Sequence, residues 1–491
     1  MKRLILMLST AVCLLSSCQN YLDLKPKNQT VVGTLEDVKL MMSSYLFSLT
    51  SSDGYPIYFN GVAMHFPYNR DAIASFTMYS DDLDMRRAIE NSYGRKYEKE
   101  YYESTDWKSS IFSETIWNNF YLHIGYMNSV MKSLGELLGS YEQSDFEKIK
   151  GEAGFNGEAL TIRAFYIFKL LQLFAPYDNN ELGIPLNLDP EVIEGTKRLS
   201  QQEVYKRIIG DLTEALNYET ANDTWNVFYN KDIIHALLAQ VYTFKAESAA
   251  KEEKDWEEAE KHSDYIVQRY QLAQTADELK SVIRPGAAGV IKNPHCLLTL
   301  GWDITPRSNS YSFWGLPQYG TGQVVSPDLL ATYTPGDYRP GLYFYVSEED
   351  GVMYQKFEYV TWTLSDYITL FRVADMYLIC AEANTRLNRP KGKELLETFK
   401  KSRITGFTTY NGNDVLDEII RERRKEFCGE YDMRWLDMKR LKMAVSREGI
   451  DEKSQQVKTY KLESNDYRYA LKIPIESELV YNKIPQNPGW N

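Results

Sequence analysis

Apolar and polar positions alternate along this chain in two different rhythms. From Thr115 to Leu138, Phe146 to Phe174, Gln202 to Tyr218, Lys231 to Ser248 and Trp256 to Tyr270, apolar residues recur every three or four positions. That is the period of a helix with one buried face. Leu35–Leu49 predicts a shorter helix, and the run YITLFRVADMYLICAEANTRL (367–387) reads as helical throughout. Small residues at Ala236, Ala239 and Ala259 let neighbouring helices approach closely. Two long stretches, 50–108 and 274–365, lose the helical period and fill with Tyr, Trp, Gly, Pro and Ser. Within the second, Tyr343–Val346 and Phe357–Trp362 read as short strands. The pattern therefore predicts a mostly α chain of repeated helix pairs, interrupted by an irregular, loop-rich insertion.

The stretch DVLDEIIRERRKEFCGEYDMRWLDMKRL (414–441) predicts two more helices. Asp414 is the N-cap of the first, Gly429 its stop, and Trp435, Leu436 and Leu441 mark the second. Glu422 and Glu426 lie four apart with Glu430 just beyond, and like charges at that spacing repel. Such a row requires facing cations, for which Arg421, Arg423 and Arg434 are the nearby candidates. Taken alone, the stretch reads as a solvated, charge-laced helix pair.

Composition narrows the picture. The chain has 491 residues, a formal net charge of −12 and no strongly basic stretch, which argues against nucleic acid as a partner. Residues 1–17 have a basic start and an apolar run from Leu4 to Leu15, too short to span a bilayer but suited to a secretory leader. Leu15-Ser16-Ser17-Cys18 matches a bacterial lipobox, which predicts lipidation at Cys18. No later segment is apolar enough to cross a membrane. Cys296, Cys380 and Cys428 remain in the body with no regular spacing, so no disulfide framework is expected.

The motifs of catalysis are mostly missing from the sequence; Ser129-Val130-Met131-Lys132 fits SxxK by chance, without the companion SDN and KTG motifs. The five histidines, His65, His123, His235, His262 and His295, form no HExxH and no zinc-holding pair. His123 and His235 fall on helices and read as packing residues. There is no GxSxG elbow and no phosphate-binding GxxxxGK[ST]. The acidic SDDLDM (80–85) lacks the glycine and distal glutamate of an EF-hand loop, so a turn or cap is expected there instead of a metal site. With 68 carboxylates a glycosidase pair cannot be read from spacing, because separation in space decides that chemistry.

The positive signal is aromatic, with 37 Tyr, 20 Phe and 9 Trp. A ring that is apolar on its face and polar at its tip suits a sugar or an extended peptide. Tyr101, Tyr102 and Trp107 form one candidate ligand-binding group. Trp302, Tyr311, Trp314 and Tyr319 form a second, supported by Asp303, Arg307, Asn309 and Gln318. Trp117, Trp256 and Trp435 lie on helices and are expected in the core.

Arg421-Glu422-Arg423, Glu426-Phe427, Gly429-Glu430, Arg434-Trp435 and Leu436-Asp437 resemble the C-terminal signature of the SusD/RagB family of outer-membrane nutrient-binding lipoproteins. Arg163, Ala164 and Tyr166, the turn Gly183-Ile184-Pro185-Leu186, Arg372, Ala374, Ala381 to Ala383, and the ending Ile484–Trp490 resemble other family motifs. The resemblance implies a tetratricopeptide-like helical repeat scaffold. It divides the chain into a signal peptide (1–17), an N-terminal scaffold (18–273) containing the loop region 50–108, an aromatic insertion (274–365) and a C-terminal helical region (366–491). It also implies a protein lipid-anchored on the outer-membrane surface that binds glycan and delivers it to a SusC-like TonB-dependent transporter. No cofactor, metal or bond-breaking step is expected. Peptide uptake of the RagB type, a secreted glycoside hydrolase and a purely structural helical adaptor are the alternatives.

Overall fold

The computed structural model describes residues 32–50, 57–59, 62–64, 76–86, 98–108, 111–139, 153–189, 197–218, 225–286, 291–301, 324–348, 351–360, 363–364 and 367–490. Its centre is the helix Phe155–Phe174, in which every residue from Gly157 onward is buried. Such all-round apolarity belongs to a helix with neighbours on every side. Ile111–Gly139 packs on one flank and Gln201–Ala215 on another. Its two basic residues are paired: Arg163 donates to Asp211 at 2.8 Å and to Asn128 at 2.9 Å, and Lys169 donates to Asp432 at 3.1 Å.

Successive helices continue the stack. Gln201–Ala215 begins at Ser200 in a capping box with Glu203, the S-x-x-E pattern that satisfies two orphan N–H groups at a helix start. Lys231–Lys245, capped by Asn230, packs on Asp255–Val267. That helix packs in turn on Val373–Arg386, more than a hundred residues further along the chain, which packs on Lys391–Lys401. The last contact is close at Gly392, where a Cβ would collide with Thr385 Oγ1 and come within 2.9 Å of the Ala381 carbonyl. The stack is therefore helical and tetratricopeptide-like, with residues 268–372 looped out between two helices that touch.

The looped-out region holds the short helix Ala276–Ile283 and several two-stranded sheets. Phe344–Ser347 pairs with Gly351–Tyr354, and Cys296–Gly301 pairs antiparallel with Tyr367–Arg372. The latter pairing corrects the helical reading of 367–372. The β-branched and aromatic residues of YITLF satisfy their backbone in a ladder, and helix begins only at Val373. A C-terminal hairpin, Val445–Ile450 with Val457–Leu462, is also absent from the sequence reading. Trp117 and Trp435 are core residues as expected, but Trp256 is only half-buried, beneath the Arg386 guanidinium 4.9 Å from its ring centre.

The signature stretch forms Val415–Phe427, with Asp414 accepting from Asp417 N at 2.9 Å, and Met433–Arg440. Gly429 between them takes φ 70°, the left-handed conformation that favours glycine. The pair is not solvated. Glu422 and Glu426 are fully buried and Glu430 is nearly so. Apart from Lys425, which pairs with Glu422 from within the same helix, the cations that face them come from the insertion and the repeats, not from the signature's own arginines. Arg339 donates to Glu422 at 2.7 Å and to Glu426 at 3.3 Å. Arg403 holds Glu426 through two bonds of 2.9 and 3.0 Å, and Arg372 bridges Glu426 and Glu430. Lys356 reaches Glu430 at 2.7 Å. Of the cations expected there, Arg423 pairs with Asp375 and Asp437, Arg434 with Asp81, and Arg421 stays on the surface beside Asp417.

Candidate functional site

The two irregular stretches, far apart in sequence, meet. Residues 82–84 lie against residues 324–326: Leu83 bridges Val325, Asp84 N donates to the Val324 carbonyl at 2.9 Å, and Ser326 N donates to the Asp82 carbonyl at 2.8 Å. Val324 in turn bridges Met353 of the strand Gly351–Tyr354. The acidic SDDLDM therefore joins the early loop region to the aromatic insertion.

Carboxylates hold this junction to the signature helices. Arg434 grips Asp81 through two bonds of 2.6 and 2.7 Å, and Arg424 donates to Asp82 at 2.8 Å. Burial opposes ionisation of Asp81, but the two guanidiniums hold its carboxyl well below the usual range. Burial and the neighbouring Asp81 push Asp82 up instead, and its Oδ2 has no hydrogen-bond partner among the described residues. SDDLDM is thus neither a metal loop nor a simple cap; it is an ion-paired anchor.

The first aromatic group lies inside. Trp107 is fully buried at φ 51°, donates to the Tyr79 carbonyl at 2.8 Å and lies under the Arg447 guanidinium, 3.9 Å from its ring centre. Arg447 itself donates to the carbonyls of Met78, Ser80, Ser104 and Thr105, and burial lowers it to about 9. Tyr101 and Tyr102, on the helix Glu98–Thr105, are buried too, with Tyr101 donating to the Met85 carbonyl and the Tyr102 hydroxyl accepting from Gln455 at 2.9 Å. These three rings fasten the early loop region to the C-terminal hairpin. In this structure they offer no open stacking face, which corrects their reading as a surface platform. Trp302, Tyr311, Trp314 and Tyr319, with Asp303, Arg307, Asn309 and Gln318, lie outside the described residues, as does Cys18.

Among the described residues, Glu260, Asp264 and Cys380 could hold a metal ion. The Lys391 ammonium lies 2.6 Å from Asp264 and 3.5 Å from Glu260, so the counter-charge is already supplied. Burial pushes the Cys380 thiol up to about 12, so it rests protonated at neutral pH. His235 and His262 share a proton between their Nδ1 atoms at 2.8 Å, stacked against Tyr265 and Tyr242. Burial lowers the two to about 4 and about 3, so they are neutral packing residues.

Residues 310–490 match the family model described as the SusD family, and residues 20–243 match a second, described as starch-binding associating with outer membrane. The chain belongs to the SusD family. SusD-like protein P2 of Formosa agariphila is 22% identical over 435 residues, spanning 76% of this chain and 80% of that protein. SusD-like protein P38 of the same organism is 24% identical over 402 residues, 67% of this chain and 72% of its own length. A solved SusD superfamily protein from Bacteroides thetaiotaomicron superposes with a TM-score of 0.70 at 22% identity, covering 93% of this chain and 100% of that one. The surface glycan-binding protein A from Bacteroides fluxus superposes with a TM-score of 0.65 at 17% identity, covering 93% and 100%. At those identities the structures speak for the SusD fold. No helix among the described residues of this SusD-family chain is long and apolar enough to cross a membrane.

Proposed function

We propose that this SusD-family protein is anchored through Cys18 to the surface of the outer membrane, where it binds glycan and passes it to a SusC-like TonB-dependent transporter. The observation that carries the reading is the match of both halves of the chain to SusD models, one of them described as starch-binding and associated with the outer membrane. The junction at Leu83 and Val325 adds a physical reason, because a rigid helical scaffold there carries the flanks of the loop-rich insertion, and loops on rigid scaffolds carry binding. Trp302, Tyr311, Trp314 and Tyr319 are the stacking platform in this reading, while Tyr101, Tyr102 and Trp107 hold the early loop region in place. The mechanism is capture and handover without bond breakage.

Isothermal titration of the wild type, Trp302→Ala and Trp314→Ala against panels of oligosaccharides and peptides tests this. Loss of oligosaccharide affinity in either variant is expected. Binding of peptides alone would move the reading to peptide uptake, and release of new reducing ends would make the protein a hydrolase.

A further inference from the structure

A cleft of about 240 Å³ opens beside the sheet formed by Cys296–Gly301 and Tyr367–Arg372, with none of the junction residues 82–84 and 324–326 among its lining. Thr299 and Thr369 of that sheet, Asn226, Ser281, Ile291 and Asn293 are among its lining residues. Beside it lies an exposed apolar pair. Trp225 bridges Ile291 in antiparallel pairing, and both remain exposed, at 43% and 59%. Residues directly opposite in an antiparallel pair project to the same face. Ile291 lines the cleft, and the pairing sets Trp225, which is not itself a lining residue, beside it on the same face.

The walls are already fixed. The Asn226 side chain donates to the Ile291 carbonyl at 3.0 Å, and the Asn226 backbone carbonyl accepts from Thr299 N at 2.8 Å. Asn293 donates to Ser281 Oγ at 3.0 Å, and Thr369 Oγ1 donates to the Val282 carbonyl at 2.5 Å. A cleft held this way loses little ordering entropy on binding, which is what preorganisation contributes to affinity. Its size is below the ~300–1,000 Å³ of sites for drug-sized ligands, so it suits a single ring.

The chemistry selects the ring. Of the lining residues only Lys292 is charged, so the cleft has neither the cation cluster that phosphates need nor a carboxylate to hold a cation. An exposed indole beside an aliphatic side chain and polar walls matches a neutral ring with an apolar face and a polar edge. We infer that the Trp225–Ile291 cleft is a subsite for one neutral sugar ring, with Trp225 as its stacking residue. It rests on the glycan reading above, and it adds a contact outside both aromatic groups that the sequence singled out.

Titration of the full chain with neutral oligosaccharides tests the subsite, using Trp225→Ala, Trp225→Phe and Ile291→Ala. Tyr467→Ala serves as control, because that exposed ring packs edge-to-face against Trp490 instead. A stacking contact of about 1 kcal/mol predicts a loss of roughly fivefold for Trp225→Ala, with most of the affinity kept by Trp225→Phe and no change in the control. Melting temperatures within a degree or so of wild type would exclude misfolding, as expected for exposed positions. Unchanged affinity in Trp225→Ala, with oligosaccharide still bound, overturns the subsite and leaves the glycan reading standing. Peptides binding where no oligosaccharide does overturns both.

Discussion

Glu426→Gln keeps the shape of the side chain at the centre of the buried ion network and removes its charge. Glu426 is fully buried and takes bonds from Arg339, Arg372 and Arg403, each of them at most 3% exposed. The change leaves three guanidiniums in the interior facing a neutral amide, with Glu422, Glu430 and Asp337 as their remaining carboxylates. Removing one partner of a buried pair costs about 3–5 kcal/mol, because the other charge is left uncompensated. With a urea m-value of about 4 kcal/mol per M for a chain of this size, the unfolding midpoint would fall by about 1 M. Far-UV circular dichroism across a urea series reads this directly. Acid should mimic the mutation. Burial opposes ionisation of Glu422 and Glu426, but the cations around them win, holding Glu422 at about 2 and Glu426 well below the usual range. Carboxylates lowered in the folded state contribute stability that is present above their ordinary range and lost as pH falls through the folded value. Wild type should therefore lose stability on acidification from about pH 4.5 towards 2, and Glu426→Gln should lose less. A cost below about 1 kcal/mol for the variant would refute the argument and mean that the arginines find other partners or water.

Asp81→Asn weakens the Arg434 grip on SDDLDM; hydrogen exchange at residues 82–84 and 324–326 should quicken together, and acceleration on one side alone would contradict the junction. Glu158 is buried with Oε1 unpartnered, and burial raises it to about 8, so the native state keeps a proton that the unfolded chain releases. Stability should then fall by about 2 kcal/mol between pH 5 and 7, and Glu158→Gln should abolish that slope in urea melts at the two pH values. Cys18→Ala should move the protein from the membrane fraction to the soluble one, and continued membrane retention would remove the lipid anchor from the proposal.

The helical stack was legible because its signal is periodic and local. Helix starts such as Lys231 and the ends at Phe174 and Phe427 follow from caps and apolar spacing. The strand Tyr367–Arg372 was misread because its partner lies some seventy residues earlier, and alternation over six residues looks the same as the first turns of a buried helix. Trp107 was misread for a related reason. Composition says that an aromatic is sticky, but only the arrival of Arg447 from the C-terminal hairpin makes it interior. Trp225 drew no attention in the sequence because it stands alone; its significance comes from Ile291, 66 residues away.

The signature stretch shows the same limit from the other side. The order of its residues was enough to name a family, while the partners of its charges could not be read at all. Every cation facing Glu426 comes from outside the signature: Arg339 from the insertion, Arg372 from its closing strand and Arg403 from the last repeat. On the opposite side, Arg424 and Arg434 reach Asp81 and Asp82 in the early loop region. One helix pair therefore ties together the two irregular stretches and the scaffold that carries them. It touches no ligand in the proposed function, yet it sets where the flanks of the binding loops stand. A charged hub suits that role better than an apolar one, since bidentate arginine–carboxylate contacts fix direction and distance where apolar packing tolerates slippage. The strength of glycan binding should then depend on residues such as Asp81 that lie in the hub and never meet the sugar.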